Sequence, residues 1–192
     1  MKICVYCASS SKINKIYFNA AERLAEEFVK EKIEVVYGGG ASGLMGKLAD
    51  TIIKNGGKIK GIMPNFLKER ELAHKGVTDF EFTETMHERK AKFLLNVDGL
   101  VALPGGSGTL EELLEAITLK RLGQFTKPIV ILNVNNFFDP LKQMLEKCIL
   151  ENFMRKEHLN MWAFVNQPEE VISALINAVA WTNDALNFAT YR

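Results

Sequence analysis

The chain has 192 residues, 47% of them hydrophobic, which is enough to build one substantial core. Its 24 lysines and arginines nearly balance 23 aspartates and glutamates, and the net charge of +1 gives no general electrostatic attraction to nucleic acid or to an anionic membrane. The sequence predicts a single domain over residues 1–180, followed by a tail at 181–192 that lacks clear periodicity and is expected to fray.

The first ten residues lack the apolar length of a signal peptide, and no apolar run approaches the length of a membrane span. The cysteines Cys4, Cys7 and Cys148 are an odd and sparse set, which argues against a disulfide framework. Cys4 and Cys7 have the spacing of a redox motif, but they fall on opposite faces of a predicted strand and not at a helix start. We therefore expect reduced thiols and a cytoplasmic protein.

Apolar strands alternate with amphipathic helices along the chain. The predicted strands cover residues 2–7, 33–37, 58–63, 77–83, 98–103, 128–132 and 163–165. The predicted helices cover residues 14–30, 44–55, 85–96, a segment beginning near 107–109, and residues 140–151 and 168–180. This alternation predicts an α/β fold, a Rossmann-like doubly wound parallel sheet with helices on both faces. Ligands of such sheets bind beyond the carboxyl ends of the strands, where the strand order reverses.

The first glycine loop follows the second predicted strand and matches the spacing G-x-G-x-x-G. Its candidate nucleotide-binding residues are Gly39, Gly40, Ser42 and Gly43. The rest of the dinucleotide fingerprint is missing, because the next strand ends without an acidic residue for the ribose hydroxyl. The loop does not match a Walker loop either, since Leu48 follows Gly46 and Lys47 where that motif has Ser or Thr. The loop either holds a nucleotide or lets a helix approach the sheet.

The second glycine loop, Gly105-Gly106-Ser107-Gly108, follows the fifth predicted strand and Pro104. Apolar residues then recur at helical spacing and predict a buried stripe: Leu110, Leu113, Leu114 and Ile117. The helix should begin near Ser107 to Thr109, with free N–H groups and the positive end of its dipole facing the turn. A phosphate would fit there.

Glu112 lies about 200° around this helix from Leu110, so its side chain should point away from the packed stripe. It would stand within one turn, about 5 Å, of an anion held at the glycines. Such a site suits a ligand that is anionic at one end and develops positive charge a few bonds away, as a sugar phosphate does when its anomeric bond breaks. Alternatively, Thr109 and Glu112 form a T-x-x-E capping box, and the spacing leaves both interpretations open.

Arg89 lies near the start of the helix predicted over 85–96. A second capping box, Thr85 with Glu88, indicates where this helix begins. Because Arg89 stands three residues after Met86 and four before Phe93, its side chain starts near the packed face. A partly buried arginine needs an acidic or phosphate partner, and both ligand binding and structural pairing satisfy that need.

The sequence offers little other chemistry. His74, His87 and His158 have no neighbours at metal-ligand spacing, so we predict no protein-bound metal. No nucleophile elbow or nucleophile with an adjacent base is visible, which leaves carboxylates and cations.

These motifs resemble a known family. Met86-His87-Glu88-Arg89-Lys90, followed by Pro104-Gly105-Gly106-Ser107-Gly108-Thr109-Leu110-Glu111-Glu112, is similar to the paired signature of the Lonely Guy proteins, the cytokinin riboside 5′-monophosphate phosphoribohydrolases. The resemblance extends to the loop from Gly38, the Cys-Ala-Ser-Ser turn from Cys7 and the Lys-Arg-Leu-Gly segment from Lys120. Two departures are Ala8, where glycine is common, and Ser107, where plant members commonly have an aromatic residue, so base preference stays open.

The resemblance implies a Rossmann-like homodimer that hydrolyses the N-glycosidic bond of adenosine-type 5′-monophosphates without a cofactor. It assigns catalytic roles to Arg89 and Glu112. It assigns substrate binding to the loop residues Gly105, Gly106, Ser107, Gly108, Thr109 and Glu111, and to Glu71, Lys90 and Thr118. The family has also carried a lysine decarboxylase label, but nothing in the sequence suggests a pyridoxal cofactor.

A non-catalytic carrier of nucleotides or nucleotide-like cofactors is the competing class, because a glycine loop on this fold would serve one. The carboxylate expected beside the anion site argues against a carrier. The sequence leaves open whether plain AMP or a nucleotide prenylated on the adenine amine is the substrate.

Overall fold

The structure is a computed structural model, and it describes residues 1–68 and 73–188. Within these residues the strands are β1 (Lys2–Tyr6), β2 (Glu34–Tyr37), β3 (Ile59–Pro64), β4 (Asp79–Thr83), β5 (Gly99–Ala102), β6 (Ile129–Leu132) and β7 (Ala163–Val165). They form one parallel seven-stranded sheet in the order β4-β3-β2-β1-β5-β6-β7.

Helices connect consecutive strands. They are α1 (Lys15–Lys30), α2 (Gly43–Lys54), α3 (Asn65–Lys68), α4 (Met86–Leu94), α5 (Ser107–Arg121), α6 (Asp139–Leu150) and α7 (Val171–Ile176). Short polar side chains cap the N-termini of two of these helices. The Asn14 side chain accepts the N–H of Ile16, and the Thr85 hydroxyl accepts the N–H of Glu88 at 3.1 Å.

Alternating side chains of the central strand serve two cores. On β1, Ile3 and Val5 pack into the core that includes the buried side of α1 and α2. Cys4 and Tyr6 point to the opposite face and pack into a second core that includes Phe93 of α4 and buried residues of α5. The period-2 alternation therefore places helices on both faces of the sheet. The predicted doubly wound α/β fold is confirmed.

The strand order reverses at β1. This strand pairs with β2 on one side and with β5 on the other, so the chain leaves their carboxyl ends in opposite directions. A crevice opens at such a reversal. The Ala8 N–H donates to the Pro104 carbonyl at 3.3 Å, which brings the loop after β1 beside the second glycine loop. The fold thus directs both loops toward one site.

The C-terminal prediction was partly wrong. Instead of one helix over 168–180, a 3-10 turn at Pro168–Glu170 leads into α7, which ends at Ile176 because only Val171 and Leu175 bury its apolar side. Part of the predicted tail forms a 3-10 helix at Asn183–Phe188, and a Cβ at Gly123 would lie 2.5 Å from the Asn183 carbonyl oxygen.

No helix in the described part of the chain is long and apolar enough to cross a membrane.

The four-residue α3 was not predicted, because four residues carry too little periodicity to identify a helix.

Lys120 is an unusual part of the second core. It lies on the buried side of α5 with 1% of its surface exposed, and its ammonium donates to the Lys127 carbonyl at 2.7 Å. Burial disfavours the charged form and lowers the pKa of Lys120 to about 8 from an ordinary value of 10.5. The folded chain therefore holds this proton less tightly than the unfolded chain does.

We expect the substitution Lys120→Met to remove a pH dependence of stability. Between pH 8 and 10.5 the unfolded wild type binds the extra proton, so wild-type stability should rise with pH in that window. The wild type should therefore gain about 2–3 kcal/mol of unfolding free energy relative to Lys120→Met between pH 7 and pH 10. Urea unfolding at both pH values measures it, with Lys54→Met on the exposed side of α2 as the control. Parallel pH curves for wild type and Lys120→Met would contradict the assignment.

Candidate active site

A cavity of about 310 Å³ lies at the carboxyl ends of β1, β2 and β5. This volume is at the lower end of the range for small-molecule sites. Its walls come from the loop after β1, from Gly38 at the end of β2, from α4 and from the start of α5. The cavity therefore occupies the crevice that the reversal of strand order creates.

The start of α5 forms one end of the cavity. The helix begins at Ser107 with Gly106 as its N-cap, and the first intrahelical bond runs from the Leu110 N–H to the Gly106 carbonyl. The N–H groups of Ser107, Gly108 and Thr109 therefore have no intrahelical partner, and the positive end of the dipole faces the cavity. The polar residues Ser9 and Ser10 of the loop after β1 also line this cavity. This end of the cavity is suited to a phosphate.

Gly105 allows this turn to close. A Cβ at Gly105 would lie 2.1 Å from Oγ1 of Thr109 and 2.6 Å from its Cβ. Gly106 has open space around the position of a Cβ, and it lines the cavity. The predicted glycine loop thus has one glycine that packs against the helix and one that faces the ligand space.

Arg89 forms the floor of the cavity and is only 8% exposed. Its Nε donates to the Ile62 carbonyl at 3.0 Å, its Nη2 donates to the Gly38 carbonyl at 3.2 Å, and its guanidinium stacks 4.8 Å from the Phe93 ring centre. Its Nη1 donates to Oε1 of Glu112 at 3.3 Å. The sequence left structural pairing and ligand binding open, and the structure shows pairing with Glu112 at the edge of the ligand space.

The capping-box interpretation of Glu112 was wrong. Because α5 begins at Ser107, Thr109 is its third residue and cannot be the N-cap. The Glu112 side chain instead points into the cavity, away from buried Leu113 and Ile117, with 12% of its surface exposed. Burial raises the pKa of Glu112 from 4.5 to about 7, although the positive charge of Arg89 opposes this rise. The carboxyl can therefore exchange a proton near neutral pH.

The predicted apolar stripe of α5 was wrong at one position. Leu114 is 42% exposed, whereas Thr109, Leu113, Ala116 and Ile117 are buried. The buried side of the helix is therefore rotated away from Leu114 and toward Ala116 and Lys120.

Lys90, Glu111 and Thr118 lie outside the cavity lining. The Lys90 ammonium bridges Glu111 at 2.6 Å and Glu115 at 3.1 Å, and so ties α4 to α5 beside the Arg89–Glu112 pair. Thr118 is exposed, and its hydroxyl donates to the Leu114 carbonyl of its own helix. The structure separates these three positions from the cavity-lining residues that the same resemblance selected. Glu71 lies outside the described residues.

The first glycine loop does not line the cavity at Gly39, Gly40, Ser42 or Gly43. The free N–H groups at the start of α2 are already used, because Leu44 donates to the Ala8 carbonyl at 2.9 Å and Gly43 donates to the Ser11 hydroxyl at 3.2 Å. Gly43 has a φ of +62°, and a Cβ there would lie 2.5 Å from the Ser9 carbonyl carbon. The close-packing interpretation of this loop is the one that the geometry favours.

Several cavity-lining residues were not identified as site residues from the sequence, among them Ser9, Ser10 and Gly38. The Cys-Ala-Ser-Ser turn was the available signal for the serines. The signal for Gly38 was the first glycine loop, which it opens, but spacing could not show its contact with Arg89, whose Nη2 would lie 2.6 Å from a Cβ at Gly38. Cys7 also lines the cavity, but burial raises its thiol pKa well above the ordinary range, which opposes a thiolate role. Within residues 1–68 and 73–188 no cluster of His, Cys, Asp and Glu is arranged to hold a metal ion.

Known proteins share this arrangement of motifs and fold. Residues 45–175 match a family model described as possible lysine decarboxylase. A cytokinin riboside 5′-monophosphate phosphoribohydrolase of Arabidopsis thaliana is 42% identical over 153 residues, which cover 80% of this chain and 72% of that protein. A second Arabidopsis protein of the same name is 36% identical over 174 residues, covering 91% and 76% of the two chains.

The structure of the molybdenum cofactor carrier protein of Chlamydomonas reinhardtii aligns with a TM-score of 0.71. The alignment covers 92% of this chain and 96% of that one. At 17% sequence identity, this likeness shows the fold alone.

Proposed function

Because the chain belongs to the Lonely Guy family of cytokinin riboside 5′-monophosphate phosphoribohydrolases, we propose that it hydrolyses the N-glycosidic bond of adenosine-type nucleoside 5′-monophosphates. The products are the free base and ribose 5-phosphate. The observation that carries this assignment is the buried carboxylate of Glu112, paired with Arg89 in the same cavity as the free N–H groups of α5.

The two ends of the cavity have different roles in the proposed reaction. The N–H groups of Ser107, Gly108 and Thr109 bind the 5′-phosphate and fix the ribose near Glu112. As the C–N bond breaks, its electron pair leaves with the base and positive charge develops on the ribose ring. The ionised Glu112 stabilises this charge and orients the water that attacks the anomeric carbon. The proton that this water loses balances the proton that the base gains.

Arg89 acts in this proposal chiefly through Glu112. Two of its donors are already bonded to the Ile62 and Gly38 carbonyls, so the guanidinium is fixed before any ligand binds. The hydrogen bond from Nη1 to Glu112 favours the ionised form of the carboxyl, which the reaction needs, and orients the carboxyl in the cavity. Lys90 adds a second connection between the same helices through Glu111 and Glu115.

A non-catalytic carrier is the weaker alternative. The structural likeness to a cofactor carrier shows only the fold. A carboxylate buried beside an anion site weakens phosphate binding, and a protein that only stores a nucleotide has no use for it.

The 5′-phosphate should be required for turnover, because its contacts with the α5 N–H groups position the anomeric carbon. We expect kcat/KM for AMP to exceed that for adenosine by about a thousandfold, which corresponds to about 4 kcal/mol of transition-state binding. Chromatographic assay of free adenine measures both rates. Comparable values for AMP and adenosine would sink the proposed role of the turn.

Glu112→Gln should retain the fold and lose activity. The change keeps the shape of the side chain and removes the negative charge that the transition state needs, so kcat on AMP should fall by about a hundredfold or more. Affinity for AMP should hold or improve, since a carboxylate near the phosphate is gone. Glu115→Gln, one turn later on α5, is the matched control and should change kcat less than threefold. A folded Glu112→Gln protein with wild-type kcat would return this residue to a structural role.

We also propose a cytoplasmic homodimer that binds neither nucleic acid nor membrane. The family resemblance supports the dimer, as does the exposed face of α5 that carries Leu114 and Thr118. Cysteines without disulfide bonds support the cytoplasmic location. The balanced charge supports the absence of nucleic-acid and membrane binding. Light scattering that gave 21.6 kDa across micromolar concentrations would contradict the dimer.

A further inference from the structure

An apolar cleft of about 300 Å³ lies beside the active-site cavity, and we call it the side cleft. Its apolar walls come from the loop after β1, from α1, from the second glycine turn and from the loop after β6, and they include Ile13, Tyr17, Pro104 and Phe137. The proposed reaction leaves the side cleft unused, because the base, the ribose and the phosphate of AMP all lie in the cavity.

The second glycine turn separates the side cleft from the anion end of the cavity. Pro104 and Gly105 line only the cleft, and Ser107 and Gly108 line only the cavity. Gly106 lines both, and beyond its chain neighbours nothing in the described part of the chain lies within 4 Å of the position that a Cβ would take there. Because consecutive Cα atoms are about 3.8 Å apart, a phosphate held at the Ser107 N–H lies about one residue from the cleft.

The aromatic wall of the side cleft is held in place. Phe137 is 40% exposed, and its ring makes edge-to-face contacts with Tyr17 and Phe138 at centroid distances of 6.0 and 5.0 Å. The Asn133 side chain fixes the loop that carries Phe137, since its amide donates to Asp139 at 2.7 Å and its carbonyl accepts the Phe138 N–H at 2.7 Å. An apolar group that enters the cleft therefore meets a preformed surface.

The charges around the cavity favour a phosphate with one negative charge over a phosphate with two. Among the described residues that line the cavity, Arg89 is the one cation, and its three nitrogens already donate to the Ile62 and Gly38 carbonyls and to Glu112. A phosphate monoester carries nearly two negative charges at neutral pH. A phosphodiester carries one, so it meets less repulsion from the Glu112 carboxylate.

We infer that the enzyme also acts on nucleoside 5′-phosphodiesters whose second ester group is small and apolar, and that the side cleft binds this group. The inference rests on the proposed function and leaves its bond chemistry unchanged. Water attacks the anomeric carbon, the C–N bond breaks, and its electron pair leaves with the base, which gains a proton. Both phosphate ester bonds stay intact, so the second product is an ester of ribose 5-phosphate. The ester group would lie between Ile13, Tyr17 and Phe137 and remove apolar surface from water.

The test compares AMP with its methyl ester and its phenyl ester on the phosphate. The two esters carry the same single charge, so the ratio of their kcat/KM values reports the side cleft alone. We expect wild type to release adenine from both esters and to prefer the phenyl ester by about tenfold, the size of discrimination that small apolar groups provide. Chromatography measures adenine and phenol in the same sample, and adenine should appear without phenol.

Two variants change the side cleft in opposite ways. Phe137→Ala removes part of the aromatic wall and should lower the preference for the phenyl ester about fivefold. Ile13→Trp fills the cleft and should abolish the preference. Both variants should keep kcat/KM for AMP within about twofold of wild type, because AMP does not reach the cleft. Phe153→Ala is the matched control, since Phe153 is 78% exposed and lines neither the cleft nor the cavity, and it should leave the preference unchanged.

The outcomes separate this inference from the proposed function. An enzyme that releases adenine from AMP but from neither ester overturns the inference and keeps the proposed function. A methyl ester that reacts as fast as the phenyl ester, or a phenyl preference that survives Ile13→Trp, also overturns it. Adenine that appears only after phenol would show that the ester is lost first, and this result contradicts the inference as well. If AMP itself releases no adenine, the proposed function fails and the inference fails with it.

Discussion

The contact between the Arg89 guanidinium and the Glu112 carboxylate joins the parts of the molecule on which the site depends. Arg89 lies on α4, donates to the carbonyls of Gly38 just after β2 and of Ile62 in β3, and reaches α5 through Glu112. Two charges this poorly exposed are stable only when paired and hydrogen-bonded, and removing one partner of such a pair commonly costs about 3–5 kcal/mol. The parallel sheet, the helix starts and the second glycine turn together place this pair in the same cavity as the free N–H groups of α5.

The sequence predicted the architecture because most of its signals are local. Apolar runs and amphipathic spacing are properties of neighbouring residues, so the strands and all but the shortest and last helices were found close to their observed ends. Where tertiary packing decides, the prediction failed. Leucine spacing alone could not show that α5 turns Leu114 outward, and the short apolar side of α7 could not extend that helix to residue 180.

The site was predictable as a set of residues and not as a geometry. The second glycine loop predicted an anion site from its sequence alone. The partners of Arg89, however, lie 23 to 51 residues away in the sequence, and spacing cannot reveal such contacts. The sequence left open whether the first glycine loop holds a nucleotide or lets a helix approach the sheet, and the bonds from its helix start to Ala8 and Ser11 favour the second interpretation. Resemblance grouped Lys90, Glu111 and Thr118 with the cavity residues, whereas none of the three lines the cavity: Lys90 pairs with Glu111, and the Thr118 hydroxyl donates within its own helix.

The ionisation of Glu112 tests the proposed site geometry most directly, because burial in the cavity raises the pKa of this carboxyl while the neighbouring Arg89 opposes the rise. Carbon NMR of protein labelled at the glutamate carboxyl, with the Glu112→Gln spectrum for assignment, would give its titration in the free enzyme. The account predicts a pKa of about 7. A midpoint near the ordinary value of 4.5 would show that burial does not dominate the ionisation of this carboxyl and would contradict the account.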